Sequence, residues 1–100
     1  MEPENAHSNN FTNHKVLYND KDFSIAIGDW EGNKSEPRVG MRWNEAYTEI
    51  GYPSAYGKPK WFIVENSVAL PLLVWLLGKS GGRNDSIVKE AIKQILSQKE

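Results

Sequence analysis

The chain has 100 residues, with 12 basic and 13 acidic side chains and a formal net charge of −1. This length favours a single domain with one modest core. Because the chain contains no cysteine, disulfides, thiolate zinc sites and a cysteine nucleophile are excluded. A hydrophobic fraction of 39% argues against full disorder, and the near-neutral charge argues against a strongly basic nucleic-acid binder.

The first 14 residues, MEPENAHSNNFTNH, are polar and show no periodicity, so they are predicted to form a disordered tail. They lack the basic start and apolar run of a secretory signal. The longest apolar run, Val68–Leu77, is shorter than the roughly 20 residues of a membrane-spanning helix. These features predict a cytoplasmic protein with no membrane attachment. The folded unit is expected over residues 15–79, followed by a C-terminal segment over residues 80–100.

Four strands are predicted within the folded unit. The two central ones alternate apolar residues with polar or small ones, which is the period of two typical of a strand. Turn residues at 29–37 predict a hairpin, and the prolines and glycines at 50–59 predict a loop. The predicted strands are Lys15–Asn19, Phe23–Trp30, Arg38–Trp43 and Lys60–Val64.

A first helix is expected after Asn66 or Ser67, since either side chain can cap it, and is expected to end at Gly78. Pro71 fits best in the first turn, where few backbone donors are used, so several starting residues remain open.

A glycine joint at residues 80–82 is predicted to connect this helix to a second one over residues 85–99, capped by Asp85. The second helix carries an apolar stripe at helical spacing. The fold class predicted from these elements is α+β: a four-stranded, antiparallel, curved sheet followed by a buried apolar helix and a C-terminal amphipathic helix.

Strand periodicity also predicts two different sheet faces. The face towards the helices should carry Phe23, Ile25, Ile27, Val39, Met41 and Trp43. The opposite face is predicted to be open and to carry Ser24, Ala26, Gly28, Trp30, Arg38, Gly40 and Arg42. If Phe62 and Val64 face the helices, Trp61 and Ile63 belong to the open face.

The first helix is apolar on all sides, so it must be covered on more than one side. The sheet covers one side, and either the C-terminal helix or a second copy of the chain must cover another. A homodimer is therefore predicted, with its interface at Leu70, Leu73, Val74 and Leu77.

The order of four strands and a helix within about 65 residues resembles the PC4-like/Whirly single-stranded-DNA-binding family. The segments that carry the resemblance are FSIAIGDW from Phe23, RVGMRW from Arg38 and WFIVEN from Trp61. The resemblance implies a unit that dimerises through its helix and binds single-stranded nucleic acid on its sheet. The whole chain also resembles small bacterial proteins carried on mobile elements, which implies no activity.

On this basis the first hypothesis is a non-enzymatic single-stranded DNA- or RNA-binding module. Aromatic rings would stack on bases while cations neutralise phosphates. The predicted binding residues are Trp30, Arg38, Arg42, Tyr56, Lys58, Lys60 and Trp61. The alternative is a protein-interaction adaptor that uses the aromatic loop at 46–59 and the sheet surface. A small-molecule pocket formed by the aromatic residues of that loop is a third, weaker hypothesis.

Catalytic and metal sites are not predicted. Asp29 and Glu31 could form a carboxylate pair, but turn chemistry explains Asp29 better. The only histidines, His7 and His14, fall in the predicted tail and make a poor metal site without cysteine. The segment GKSGG lacks the glycine spacing of a phosphate-binding loop. We therefore expect no enzyme activity, no cofactor and no metal.

Overall fold

The fold was obtained as a computed structural model that describes residues 1–45, 49–79 and 85–97, without the side chains of Lys34 and Ser35. It is α+β, which confirms the predicted class. The strands are β1 (Phe11–Asn19), β2 (Phe23–Trp30), β3 (Asn33–Trp43), β4 (Ser54–Ala55), β5 (Lys58–Pro59) and β6 (Phe62–Val64). The helices are a short 3-10 helix (Pro3–Asn5), α1 (Asn66–Lys79) and α2 (Asp85–Leu96). The predicted glycine joint at 80–82 lies outside the described residues.

One four-stranded antiparallel sheet, in the order β1-β2-β3-β6, organises the molecule. Ile27 pairs with Val39, and Val39 pairs with Val64, so the apolar residues of three strands lie side by side. Strands β4 and β5 form a separate two-stranded hairpin inside the segment predicted as a loop.

Both helices lie on one face of the sheet and form the larger core with it. Ile25, Ile27 and Val39 are buried there, as the alternation predicted. The buried residues of this core are Leu17, Ile25, Ile27, Val39, Val64, Ala69, Leu73, Leu76, Val88, Ala91 and Ile95. Within the described part of the chain, no helix combines the length and apolar character needed to cross a membrane.

Helix α1 begins at Asn66, one of the two residues predicted to cap it, and ends at Lys79 instead of Gly78. Its cap is the Glu65 carboxylate, which accepts hydrogen bonds from the backbone N–H of Ser67 at 2.9 Å and from the Ser67 hydroxyl. These bonds hold the pKa of Glu65 below its usual value. Pro71 therefore lies inside the helix, at a solvent-exposed position.

The N-terminal segment is folded, so the predicted disordered tail at residues 1–14 is wrong. Pro3–Asn5 form the 3-10 helix, β1 already starts at Phe11, and Ala6 and Phe11 are buried. These residues form a second, smaller core with Ala26 and Trp61 on the face of the sheet opposite the helices.

Two glycines make room for this packing. A Cβ added at Gly28 or at Gly40 would lie 2.9 Å or 3.1 Å from the Phe11 ring carbon Cζ. The small residues that suggested a close approach by a ligand thus accommodate a side chain of the same molecule.

Replacing Phe11 by alanine tests whether the N-terminal segment belongs to the folded unit. Because the side chain is 1% exposed, we expect Phe11→Ala to lower the free energy of unfolding by about 3 kcal/mol or more. Urea denaturation followed by tryptophan fluorescence measures this change. The exposed control Asn9→Ala should stay within about 0.5 kcal/mol of the wild type; equal stability of both variants would contradict the packing.

Candidate functional site

The N-terminal segment covers part of the face predicted to be open, and Trp61 lies beneath this segment. Its side chain is 6% exposed, and its indole N–H donates a 2.7 Å hydrogen bond to the carbonyl oxygen of Ala6. The ring centroids of Phe11 and His14 lie 5.5 Å and 5.2 Å from it. The prediction that Trp61 is an exposed stacking surface is therefore wrong, because the N-terminal segment occupies that surface.

Arg42 is also buried, at 1% exposure. Its guanidinium donates to the carbonyl oxygens of Lys60 at 2.6 Å, of Pro53 at 3.5 Å and of Ile50. It also lies 5.8 Å from the centroid of the Trp61 ring. Burial lowers the pKa of Arg42. The predicted phosphate contact is wrong for this residue, because its charge serves to hold the loop before β6.

The remaining predicted binding residues do not form one surface. Trp30 and Arg38 are partly exposed at one end of the β2–β3 pair, where Arg38 pairs with Glu36 at 3.7 Å. Tyr56 is fully exposed on the β4–β5 hairpin. Lys58 and Lys60 are exposed and partly exposed, respectively, near that hairpin.

A different site lies where the helix-facing side of the sheet extends past its helices. Trp43 and Phe62 were predicted to face the core, yet they are 50% and 62% exposed. Their position on the sheet face follows the predicted alternation. The cluster that packs against the helices includes Val39 of β3 and Val64 of β6 but neither Trp43 nor Phe62. The ends of β2, β3 and β6 therefore remain outside the helical cover.

These residues form an apolar groove, which we call the aromatic groove. Its volume is about 180 Å³. It is lined by Phe23, Met41, Arg42, Trp43, Tyr52, Pro53 and Phe62. Among the described residues, Arg42 is the only charged one that lines the groove, and its guanidinium is bound to the loop carbonyls.

Neighbouring strands and the loop fix the shape of the aromatic groove. The rings of Phe23 and Trp43 meet edge to face, with centroids 4.9 Å apart. Tyr52 is placed by two backbone hydrogen bonds with Trp43, of 2.7 Å and 3.0 Å. A drug-sized ligand needs about 300 Å³ or more. The aromatic groove is smaller than that and suits one large apolar side chain.

A second exposed apolar surface lies on α1. Val68, Pro71, Val74 and Trp75 are exposed and follow helical spacing; we call them the α1 outer face. Trp75 contacts the Tyr18 ring at a centroid distance of 6.2 Å.

The structure places the four residues of the predicted dimer interface in different environments. Leu73 is 0% exposed and belongs to the protein's own core. Leu70 and Leu77 are partly buried against that core. Only Val74 of the four predicted residues is exposed. The mixture arises because α1 is apolar on every side, so its sequence does not distinguish the inner from the outer face.

The two histidines are brought together but do not form a metal centre. Their ring centroids are 5.4 Å apart, and Nε2 of His14 shares a 2.7 Å hydrogen bond with the carbonyl oxygen of Pro3. Across the residues that the structure describes, no group of three or more histidine, aspartate or glutamate side chains is arranged to hold a metal ion.

Comparison with known proteins gives no further guide to this site, since no protein-family model, no curated protein and no solved structure matches the chain.

The position of His14 predicts a loss of stability in mild acid. Burial between Phe11 and Trp61 lowers the pKa of His14 from its ordinary value of 6.5. The folded chain therefore binds fewer protons than the unfolded chain, and stability falls as the pH drops through 6.5. Urea denaturation of the wild type should show this decrease at pH values between about 7.5 and 5.5, the range in which histidine titrates.

The variant His14→Gln should lose most of that pH dependence, whereas His7→Gln, at an exposed position, should retain it. An identical decrease in the wild type and in His14→Gln would show that another group is responsible.

Proposed function

We propose that this protein is a non-enzymatic protein-interaction module whose aromatic groove receives one large apolar side chain of a partner protein. The observation that carries the proposal is the exposure of Trp43, Tyr52 and Phe62 around an apolar groove of about 180 Å³. Aromatic residues around a small pocket are typical of the centres of protein interfaces. Contiguous apolar patches are rarely exposed on soluble proteins, and those that are exposed often mark interaction sites.

The hydrogen-bonded backbone around the aromatic groove supports this role. The groove residues come from three paired strands and from a loop that hydrogen bonds with β3. Because these elements are already ordered, a partner loses little free energy in organising them.

Single-stranded nucleic acid is the second candidate ligand, and one observation favours it. Tyr56 is fully exposed, and Lys58 lies beside it on the β4–β5 hairpin, so a base and a phosphate could be contacted together. The support is weaker than for a protein, because Trp61 and Arg42 are buried and Arg38 pairs with Glu36.

Selection from a displayed peptide library, followed by fluorescence anisotropy on the enriched peptides, tests the first proposal. Phe62→Ser removes an exposed ring from the groove and should weaken binding about 30-fold, since a central contact contributes about 2 kcal/mol. The matched control is Leu96→Ser, at a similarly exposed apolar residue at the end of α2, and should bind as the wild type does.

A labelled oligothymidine is measured alongside the peptides at low salt. Binding of the oligonucleotide without enrichment of any peptide would favour the nucleic-acid function instead. Equal loss of peptide binding in Phe62→Ser and Leu96→Ser would contradict the placement in the groove.

We further propose that the protein forms a homodimer through the α1 outer face. From Asn66 to Gly78 the helix carries no charged residue, while Glu65 precedes it and Lys79 ends it. In an antiparallel pair of α1 helices, the acidic end of one copy lies near the basic end of the other. The helix dipoles also oppose each other favourably.

Side-chain sizes fit the same arrangement. With the two-fold axis level with residue 73, one residue before Val74, Trp75 of one copy faces Pro71 of the other, and Val68 faces Gly78. Large residues thus lie opposite small ones. A contact made by one helix of 14 residues is smaller than the roughly 800 Å² per partner of a standard interface, so we expect a reversible dimer.

Sedimentation equilibrium over a range of protein concentrations tests the dimer. The wild type should shift from monomer to dimer as its concentration rises, and Val74→Lys should remain monomeric because a charge would be buried near the axis. Phe62→Ser is the control and should dimerise normally. A wild-type monomer at every concentration would overturn the interface.

A further inference from the structure

Acidic side chains accumulate along one side of the aromatic groove, next to Phe23 and Trp43. The exposed carboxylates on this side are Asp20, Asp22, Glu45 and Glu49. The basic groups among them are Lys21 and the N-terminal ammonium of Met1, which donates to the carbonyl oxygens of Asn44 at 2.8 Å and of Glu49 at 2.7 Å. Lys58 and Lys60 belong to the other side, close to Phe62 in the chain. The groove therefore has an acidic rim on one side only.

Hydrogen bonds place the acidic segments beside the groove. The carbonyl oxygen of Asp22 accepts a 2.7 Å hydrogen bond from the backbone N–H of Asn44, the residue after Trp43. The Asp20 carboxylate accepts from the backbone N–H of Phe23 at 2.8 Å.

The Asp20 carboxylate accepts hydrogen bonds from the backbone N–H groups of Phe23 and Asp22 and from the Tyr18 hydroxyl. The bond from the Phe23 N–H holds the pKa of Asp20 below its usual value, so this side chain is ionised at neutral pH. Within the described residues, the one ion pair joins Arg38 to Glu36, and none of the four rim carboxylates takes part in it.

The exposed ring of Trp43 provides a second feature suited to a cation. A lysine or arginine over an aromatic face is attracted by the ring electrons, and most strongly by tryptophan. With carboxylates on the same side, a cation there gains both interactions, whereas a phosphate would be repelled.

From this geometry we infer that the partner segment carries a lysine or arginine beside the apolar residue that enters the groove. The inference rests on the proposed function, because the apolar anchor is what brings the cation to the rim. It narrows the partner from any apolar protein surface to a basic, apolar segment.

Three short fluorescent peptides with the same Leu-Phe-Leu centre, flanked by lysines, by serines or by glutamates, provide the test. Anisotropy titrations at low salt should rank the lysine peptide first and the glutamate peptide last, with about a tenfold difference between these two. Raising the salt to about 0.5 M should reduce that difference, because the Debye length then shortens to a few ångströms.

The double variant Asp22→Asn, Glu45→Gln should bring the three affinities within about twofold of one another, while the serine peptide binds as before. The matched control is Glu31→Gln, Glu90→Gln, which removes two exposed carboxylates from outside the rim and should keep the wild-type ranking.

The outcomes separate the inference from the proposed function. Equal binding of all three peptides to the wild type, or preference for the glutamate peptide, would overturn the basic partner and leave the groove as an apolar site. Absence of binding by every peptide would overturn both. An unchanged preference in the Asp22→Asn, Glu45→Gln variant would also overturn the assignment to this rim.

Discussion

The buried guanidinium of Arg42 organises the part of the molecule that carries the candidate site. No carboxylate neutralises it in the contacts described; carbonyl oxygens of the loop and the face of Trp61 surround it instead. A buried charge is costly unless its donors are satisfied; the carbonyl oxygens satisfy Nη1 and Nη2 of Arg42, whereas its Nε is buried with no partner among the described residues. The loop must therefore stay closed around Arg42, and this closure places Tyr52 and Pro53 against β3. The aromatic groove depends on that placement.

The sheet of this 100-residue chain has a hydrophobic core on each of its two faces. The helices cover one face, and the N-terminal segment covers part of the other through Phe11. Neither cover reaches the end of the sheet that carries Trp43 and Phe62, which are 50% and 62% exposed. The exposed rings of Trp43 and Phe62 are the consequence, and they give the protein a surface that a partner can bury. In the proposed function, the groove and the charged rim beside it recognise a protein segment.

Self-association and partner binding use separate surfaces in this proposal. The α1 outer face lies on a helix, whereas the aromatic groove lies at strand ends and in the loop held by Arg42. A dimer formed through α1 would leave both grooves accessible and would present two copies of the site. Two weak contacts in one assembly can bind a repeated or dimeric partner far more tightly than either contact alone.

Strand alternation and helical spacing in the sequence were sufficient to determine the α+β class, the four strands of the sheet and the side of the sheet on which Ile25 and Val39 lie. These features follow from local periodicity, which can be read from the sequence without knowing which elements pack together. Tertiary structure alone decided which residues are covered. The N-terminal segment is too polar for its packing to be visible in composition, and the partners of Arg42 are backbone carbonyls, which no side-chain pattern reveals. Phe62 and Trp43 obey the predicted alternation but remain exposed, because the extent of helical cover is set by where α1 and α2 lie on the sheet and not by any property of the strands themselves.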